Sequence, residues 1–249
     1  MMYRIEKVLN HNTVIAIHQD DHKEVLIMGK GVGFGRKVAE RIEVRPEDRL
    51  YSLQKYKERG GAKEIVKSIA PEFLELTNAV LDEAEKVFGK IDRMVLFSLA
   101  DHIAFAVKRI QNHEQISNPL TEDIRVLFHM EFKVAESIRP LLKKQFQIDI
   151  EDDEIGYVAL HIHSAIEDEK VSQAMQMARS VRECISMVEE AIGSEVYYSS
   201  ISRSSLATLS ICIARYPVST SSSFTPRLVP TWSQMTCAIP KDSGNFTSI

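Results

Sequence analysis

The spacing of apolar residues changes once along this chain, near residue 60, and that change restricts it to two unlike parts in series. Upstream, Tyr3-Arg4-Ile5-Glu6-Lys7-Val8 alternates apolar and polar residues at period 2, and Val14-Ile15-Ala16-Ile17-His18 is rich in β-branched residues, so both read as strands. Asn10-His11-Asn12 supplies a turn between them, and Asp20-Asp21-His22 a second turn before the strand Glu24–Met28. A run with glycine at 29, 31, 33 and 35 then leads to a fourth candidate strand near residues 38–44. The pattern predicts an antiparallel four-stranded module over residues 1–58. A chain of this size buries only ~60% of its surface on folding. The module is therefore expected to form a homodimer by sheet-to-sheet packing.

Downstream, over residues 62–168, the period becomes 3.6 and predicts an all-α bundle of about five helices. The first opens at Pro71 and stops at Gly89. The second covers residues 91–111, and Pro119 opens a third. Residues 132–146 and 155–166 supply two more, with Pro140 expected to kink or break the former. A further helical run over residues 171–192 begins a third zone, and the composition then breaks. Residues 195–249 carry only Glu195, Arg203, Arg215, Arg227, Lys241 and Asp242 as charges, and no histidine follows His163. The expectation is a multidomain α+β chain: a small antiparallel β domain, a helical bundle, residues 171–196 as the start of a truncated domain, and residues 197–249 as an irregular, poorly ordered tail.

Several classes of protein are excluded by composition. No apolar run reaches the ~18–20 residues of a membrane helix, and the first ten residues, MMYRIEKVLN, have no apolar core of a secretory signal. Three cysteines without a CxxC pair argue against a disulfide framework or a cysteine-rich zinc site. A net charge of -4 leaves no global basic field, so nucleic-acid binding would need a local patch. A cytoplasmic protein is expected.

Such a patch exists at the glycine run. Lys30, Arg36 and Lys37 bring positive charge beside a single aromatic, Phe34, able to stack on a base. Asn10 and Asn12, in the neighbouring turn, have amides that donate and accept to base edges. An ordinary turn with solvated charges satisfies the same residues. A dinucleotide site is disfavoured because GxGxGxG departs from GxGxxG. No phosphate-loop, Ser–His–Asp or HExxH pattern occurs, so no catalytic residues and no cofactor are expected. His161 and His163 invite a metal reading, but positions i and i+2 of a helix point about 200° apart, so no metal site is expected.

Three segments together resemble the BglG/SacY family of transcriptional antiterminators. Lys7-Val8-Leu9-Asn10-His11-Asn12 with Met28-Gly29-Lys30-Gly31-Val32-Gly33-Phe34-Gly35 resembles its co-antiterminator RNA-binding domain. Leu99-Ala100-Asp101-His102-Ile103-Ala104-Phe105-Ala106 and Glu154-Ile155-Gly156-Tyr157-Val158-Ala159-Leu160-His161-Ile162-His163 are similar to the histidine segments of its PTS-regulation domain. The wording is nearest the glucose-operon branch, and the match covers residues 1 to about 194. The resemblance implies a dimer that binds a leader-mRNA hairpin and prevents a terminator from forming upstream of sugar-transport genes. It places RNA contacts on Lys7, Asn10, Asn12, Gly29, Lys30, Gly31 and Phe34, with Arg36 beside them. Lys30 stands where many relatives carry arginine, keeping charge but losing the bidentate fork.

The resemblance also implies phosphorylation of His102 and His161 by PTS proteins, a sugar-specific EIIB or HPr. A neutral imidazole is a competent nucleophile, and an added phosphoryl group brings about two negative charges. Each histidine taken alone reads more readily as a hydrogen-bonded core residue; the matched motifs reverse that reading. Asp101, adjacent in sequence, does not share a face with His102. The departure after about residue 196 leaves no histidines for a second regulation domain, so regulation through that domain is not expected; a truncated or frame-shifted domain accounts for the break. A DNA-binding activator bearing the same regulation domain, or a metal-dependent enzyme using His161 and His163, are the alternatives.

Overall fold

The computed structural model describes residues 1–54, 62–114, 116–167 and 170–193. Five strands form one antiparallel sheet: β1 Met2–Asn10, β2 Thr13–His18, β3 Glu24–Met28, β4 Arg41–Glu43 and β5 Arg49–Ser52, in the order β4-β1-β2-β3-β5. The expected four-stranded module is corrected to five strands. The missed β5 is four residues long and buries only Tyr51 fully, too short a signal for a period to show. Asn10 pairs with Thr13, so His11 and Asn12 alone make the first turn.

β2 is buried on both faces from Thr13 to Ala16, which is why it reads as a continuous apolar run rather than an alternation. Tyr3, Ile5, Val14, Ala16, Ile27 and Ile42 fill one side of the sheet, closed by Val32 from the glycine loop. Ile15, Leu26, Met28 and Tyr51 point to the other and join the core of the helices. This second face is covered by the chain's own helical half.

The helices are α1 Ala62–Ser68, α2 Pro71–Phe88, α3 Leu96–Gln111, α4 Thr121–Leu127, α5 His129–Ala135, α6 Ile138–Phe146, α7 Asp152–Glu167 and α8 Val171–Ile192. Pro71 sits at the start of α2, where its missing N–H costs nothing, and Gly89 ends it at φ +80°. α3 starts later than expected, because Asp92 caps a single 3-10 turn, Arg93–Val95, accepting from the Met94 N–H at 2.9 Å. The single helix expected over residues 132–146 is two. The break falls between α5 and α6, and Pro140 lies in the first turn of α6, where a proline removes no hydrogen bond. α7 is apolar almost all round and is the central helix, packed by α3, α4, α5 and α8. α8 lays Ala174, Ala178, Val181 and Ile185 inward, at helical spacing. The tail expectation for residues 197–249 lies outside the described residues.

Sheet and bundle are joined by polar contacts as well as by the common core. The Tyr51 hydroxyl donates to Asn78 Oδ1 at 2.6 Å, and Arg93 donates to the same oxygen at 2.7 Å. Arg49 pairs with Asp82 at 3.2 Å and Glu85 at 2.8 Å, and Arg93 reaches both carboxylates at 2.9 Å. Leu26 is fully buried where the two halves meet. Leu26→Ala is expected to lower unfolding free energy by about 2–5 kcal/mol, read as a reduced urea midpoint by circular dichroism.

Candidate functional site

The first candidate surface is built where the β1–β2 turn meets the loop after β3. The N–H groups of Gly29 and Gly33 donate to the carbonyls of Asn12 and His11, both at 2.9 Å. The Gly31 N–H donates to Asn12 Oδ1 at 2.9 Å, and the Asn12 N–H to Asn10 Oδ1 at 2.9 Å. Two glycines are required here. A Cβ at Gly33 would lie 2.2 Å from the Asn10 carbonyl oxygen, and Gly31 has φ +72°. The asparagine turn and glycine run thus form one stapled unit, though distant in sequence.

On this unit Phe34 is 68% exposed, touched edge-on by His11 at 5.3 Å. Lys7 and Lys30 are exposed cations, and Gly29 is half-buried against the Asp48 carboxylate. Arg36 is exposed but paired with Glu40 at 2.5 Å, so its charge is partly committed. Sequence reasoning missed Arg45, which holds Asp48 at 2.7 Å and donates to the Lys30 carbonyl at 2.9 Å. It also missed Glu75 of α2. Asn10 Nδ2 donates to Glu75 Oε1 at 2.7 Å, and Asn12 Nδ2 lies 3.4 Å from Glu75 Oε2. Both amides that would read bases are occupied by the helical half.

The second candidate surface lies between α3 and α7. His102 and His161 are brought together, ring centroids 5.5 Å apart, with Tyr157 5.6 Å from His102. Their settings differ. His161 is buried, with Ser98 Oγ 3.5 Å from its Nδ1. Burial, and then the neighbouring His102, push its pKa down to about 3. His102 retains 18% of its side-chain surface, and its Nε2 faces Glu154 Oε2 at 3.3 Å. Arg109, two turns along α3, donates to Glu154 Oε1 at 2.5 Å. Asp101 is exposed; the carboxylate beside His102 comes from α7.

His163 turns the other way, to Glu131 at 2.9 Å and to the Phe128 ring at 4.3 Å. Among the described residues no group of three metal-ligating side chains occurs. No helix among them is long and apolar enough to cross a membrane. Residues 1–54 form strands and turns, so the helix-turn-helix that a DNA-binding activator needs has no counterpart there.

Two domain families match the parts of the chain that carry these surfaces. The CAT RNA binding domain family matches residues 3–60, and the PRD domain family matches residues 74–165. A crystal structure of GlcT CAT-PRDI is 30% identical, superposes with a TM-score of 0.58, and covers 67% of this chain and 99% of that one. This chain belongs to the BglG family of antiterminators. Within the family, it is 34% identical over 170 residues to the GlcA/glcB genes antiterminator of Staphylococcus carnosus (strain TM300), covering 67% of this chain and 58% of that protein. It is 27% identical over 192 residues to Protein GlcT of Staphylococcus epidermidis, covering 75% and 66%. The chain therefore spans less than two thirds of these BglG-family relatives.

The depressed His161 pKa has a measurable consequence. Folded His161 stays neutral to about pH 3, whereas the unfolded chain protonates it near 6.5. The unfolded state binds more protons in that window, so stability falls as pH drops through it. Between about pH 6 and pH 5, above the carboxylate range, the loss should approach about 1.4 kcal/mol per pH unit. Urea unfolding is expected to show this slope, and His161→Gln to flatten it.

Proposed function

We propose that this chain is a glucose-type antiterminator that binds a leader-mRNA hairpin through the Asn10–Asn12 turn and glycine loop, under control of histidine phosphorylation on the helical half. The observation that carries the reading is the exposed Phe34 on a rigid loop stapled to two base-reading amides. Unpaired bases stack on such a ring while amides read their edges and cations hold the backbone. Lys7 and Lys30 are the cations best placed to hold it, with Arg36 contributing once freed from Glu40.

In this reading the arrangement described is the closed state. Glu75 occupies Asn10 and Asn12, and the apolar face of the sheet lies against the bundle. Binding RNA requires Glu75 to leave, and a freed sheet face is covered by the same face of a second copy, giving a homodimer. Histidine phosphorylation biases that exchange, with His102 the group a PTS donor such as EIIB or HPr reaches and His161 sealed beneath it. Residues 1–58 form the RNA-binding unit, residues 62–168 the regulation domain, and residues 171–196 the start of a second one. The protein acts in the cytoplasm, as a regulator rather than an enzyme.

A gel shift of the full chain with its leader hairpin, at fixed ionic strength, tests the reading. Phe34→Ala is expected to weaken binding by about 10–100-fold, the equivalent of one base stack, and Asn10→Ala to weaken it too. Glu75→Ala is expected to tighten binding about 5-fold, from roughly 1 kcal/mol of amide contact no longer competing. Parent-like affinity for both Phe34→Ala and Asn10→Ala rejects the RNA site; unchanged affinity for Glu75→Ala rejects the closed state.

A further inference from the structure

The regulation reading leaves open which ring nitrogen of His102 reacts, and the geometry distinguishes them. Nε2 is buried, 3.3 Å from the Glu154 carboxylate, and both it and Glu154 Oε2 lack any other hydrogen-bond partner. The exposed 18% of the side chain therefore excludes Nε2. Nδ1 makes no hydrogen bond among the described residues. We propose that the phosphoryl group enters on Nδ1 of His102, with Glu154 as the positioning residue that holds Nε2–H and Arg109 as the group that fixes Glu154. This rests on the reading of His102 as a phosphoryl acceptor.

The tautomer of a neutral imidazole follows from the partner of each nitrogen. A carboxylate facing Nε2 keeps the proton there and leaves the Nδ1 lone pair free. Burial alone would raise the Glu154 carboxyl, but the facing His102 imidazole and the Arg109 guanidinium outweigh it and hold it lowered. Glu154 thus accepts rather than donates. Its place is fixed from both sides: its backbone lies in the first turn of α7, and Arg109 grips Oε1. Reaction at Nε2 would instead require the carboxylate to withdraw and the proton to be lost first.

The step balances on these groups. The Nδ1 lone pair attacks the phosphorus of a phosphohistidine or phosphocysteine on the donor protein. The new N–P bond forms as the donor's P–N or P–S bond breaks, its electron pair remaining on the donor nitrogen or sulfur. Nε2 keeps its proton, and the positive charge that develops on the ring faces Glu154. A carboxylate that both orients an imidazole and stabilises its cation is the role of the third member of a catalytic triad. The phosphate itself emerges on the solvent side of the ring, where a partner surface can read its charge.

Two measurements test the assignment, both on the full chain. Long-range proton–nitrogen correlation NMR of histidine-labelled protein, assigned by loss of signals in His102→Gln, should show a pyrrole-type Nε2 and a pyridine-type Nδ1. Phosphorylation by HPr, and separately by a sugar-specific EIIB, each charged from phosphoenolpyruvate, should give the Nδ1 isomer in an isomer-specific phosphohistidine assay. Glu154→Gln is expected to react about 10–100-fold more slowly, in line with loss of an orienting partner behind a histidine, and to yield mixed isomers. Glu154→Asp should restore the single isomer. A pyridine-type Nε2, or an Nε2 phosphate on the parent chain, overturns the proposal even if a variant fails to fold. Absence of any phosphate on His102 with both donors overturns the acceptor reading beneath it as well.

Discussion

The apolar face carried by Ile15, Leu26, Met28 and Tyr51 has to be covered, and the helical half covers it. Burying side chains of this size is worth roughly 1.5–3 kcal/mol each, so a five-stranded sheet cannot leave four of them in water. Here α2 and its neighbours do the covering. The same docking carries Glu75 to the asparagine turn and sets Arg49 against Asp82 and Glu85. Charge and hydrogen bonding at the Asn10–Asn12 turn follow from where that face is buried.

The histidine surface depends on a different constraint, the burial of a carboxylate. Glu154 retains 5% of its side-chain surface, a position tenable for an anion only because Arg109 and His102 converge on it. One turn of α7 and two turns of α3 are therefore registered against each other by charge as well as by packing. His161, deeper in the same seam, is held neutral by its burial and by the neighbouring His102. Two histidines with nearly adjacent rings thus sit in different surroundings, one facing a carboxylate and one sealed in the core.

Most of the fold was legible because period 2 and period 3.6 segments are cleanly separated, and Pro71 and Gly89 mark the limits of α2 without ambiguity. What escaped were elements whose reason is tertiary: β5, held by its pairing with β3, and the break before α6, which Pro140 suggested in the wrong place. The candidate residues Asn10, Asn12, Gly31, Phe34 and His102 could be named from the chain alone, being part of local motifs. Glu75, Arg109 and Glu154 could not, since each acts on a residue 45 or more positions away. The one available hint was the spacing of His102 and Arg109, seven residues apart and so on one helical face.

The Tyr51–Asn78–Arg93 cluster and the core beneath it run without a gap from the sheet into the bundle. Family matches divide the chain between residues 60 and 74, yet the buried core crosses that division. Separating the sheet from the bundle would therefore uncover apolar surface on both and break the Tyr51 contacts with Asn78 and Arg93.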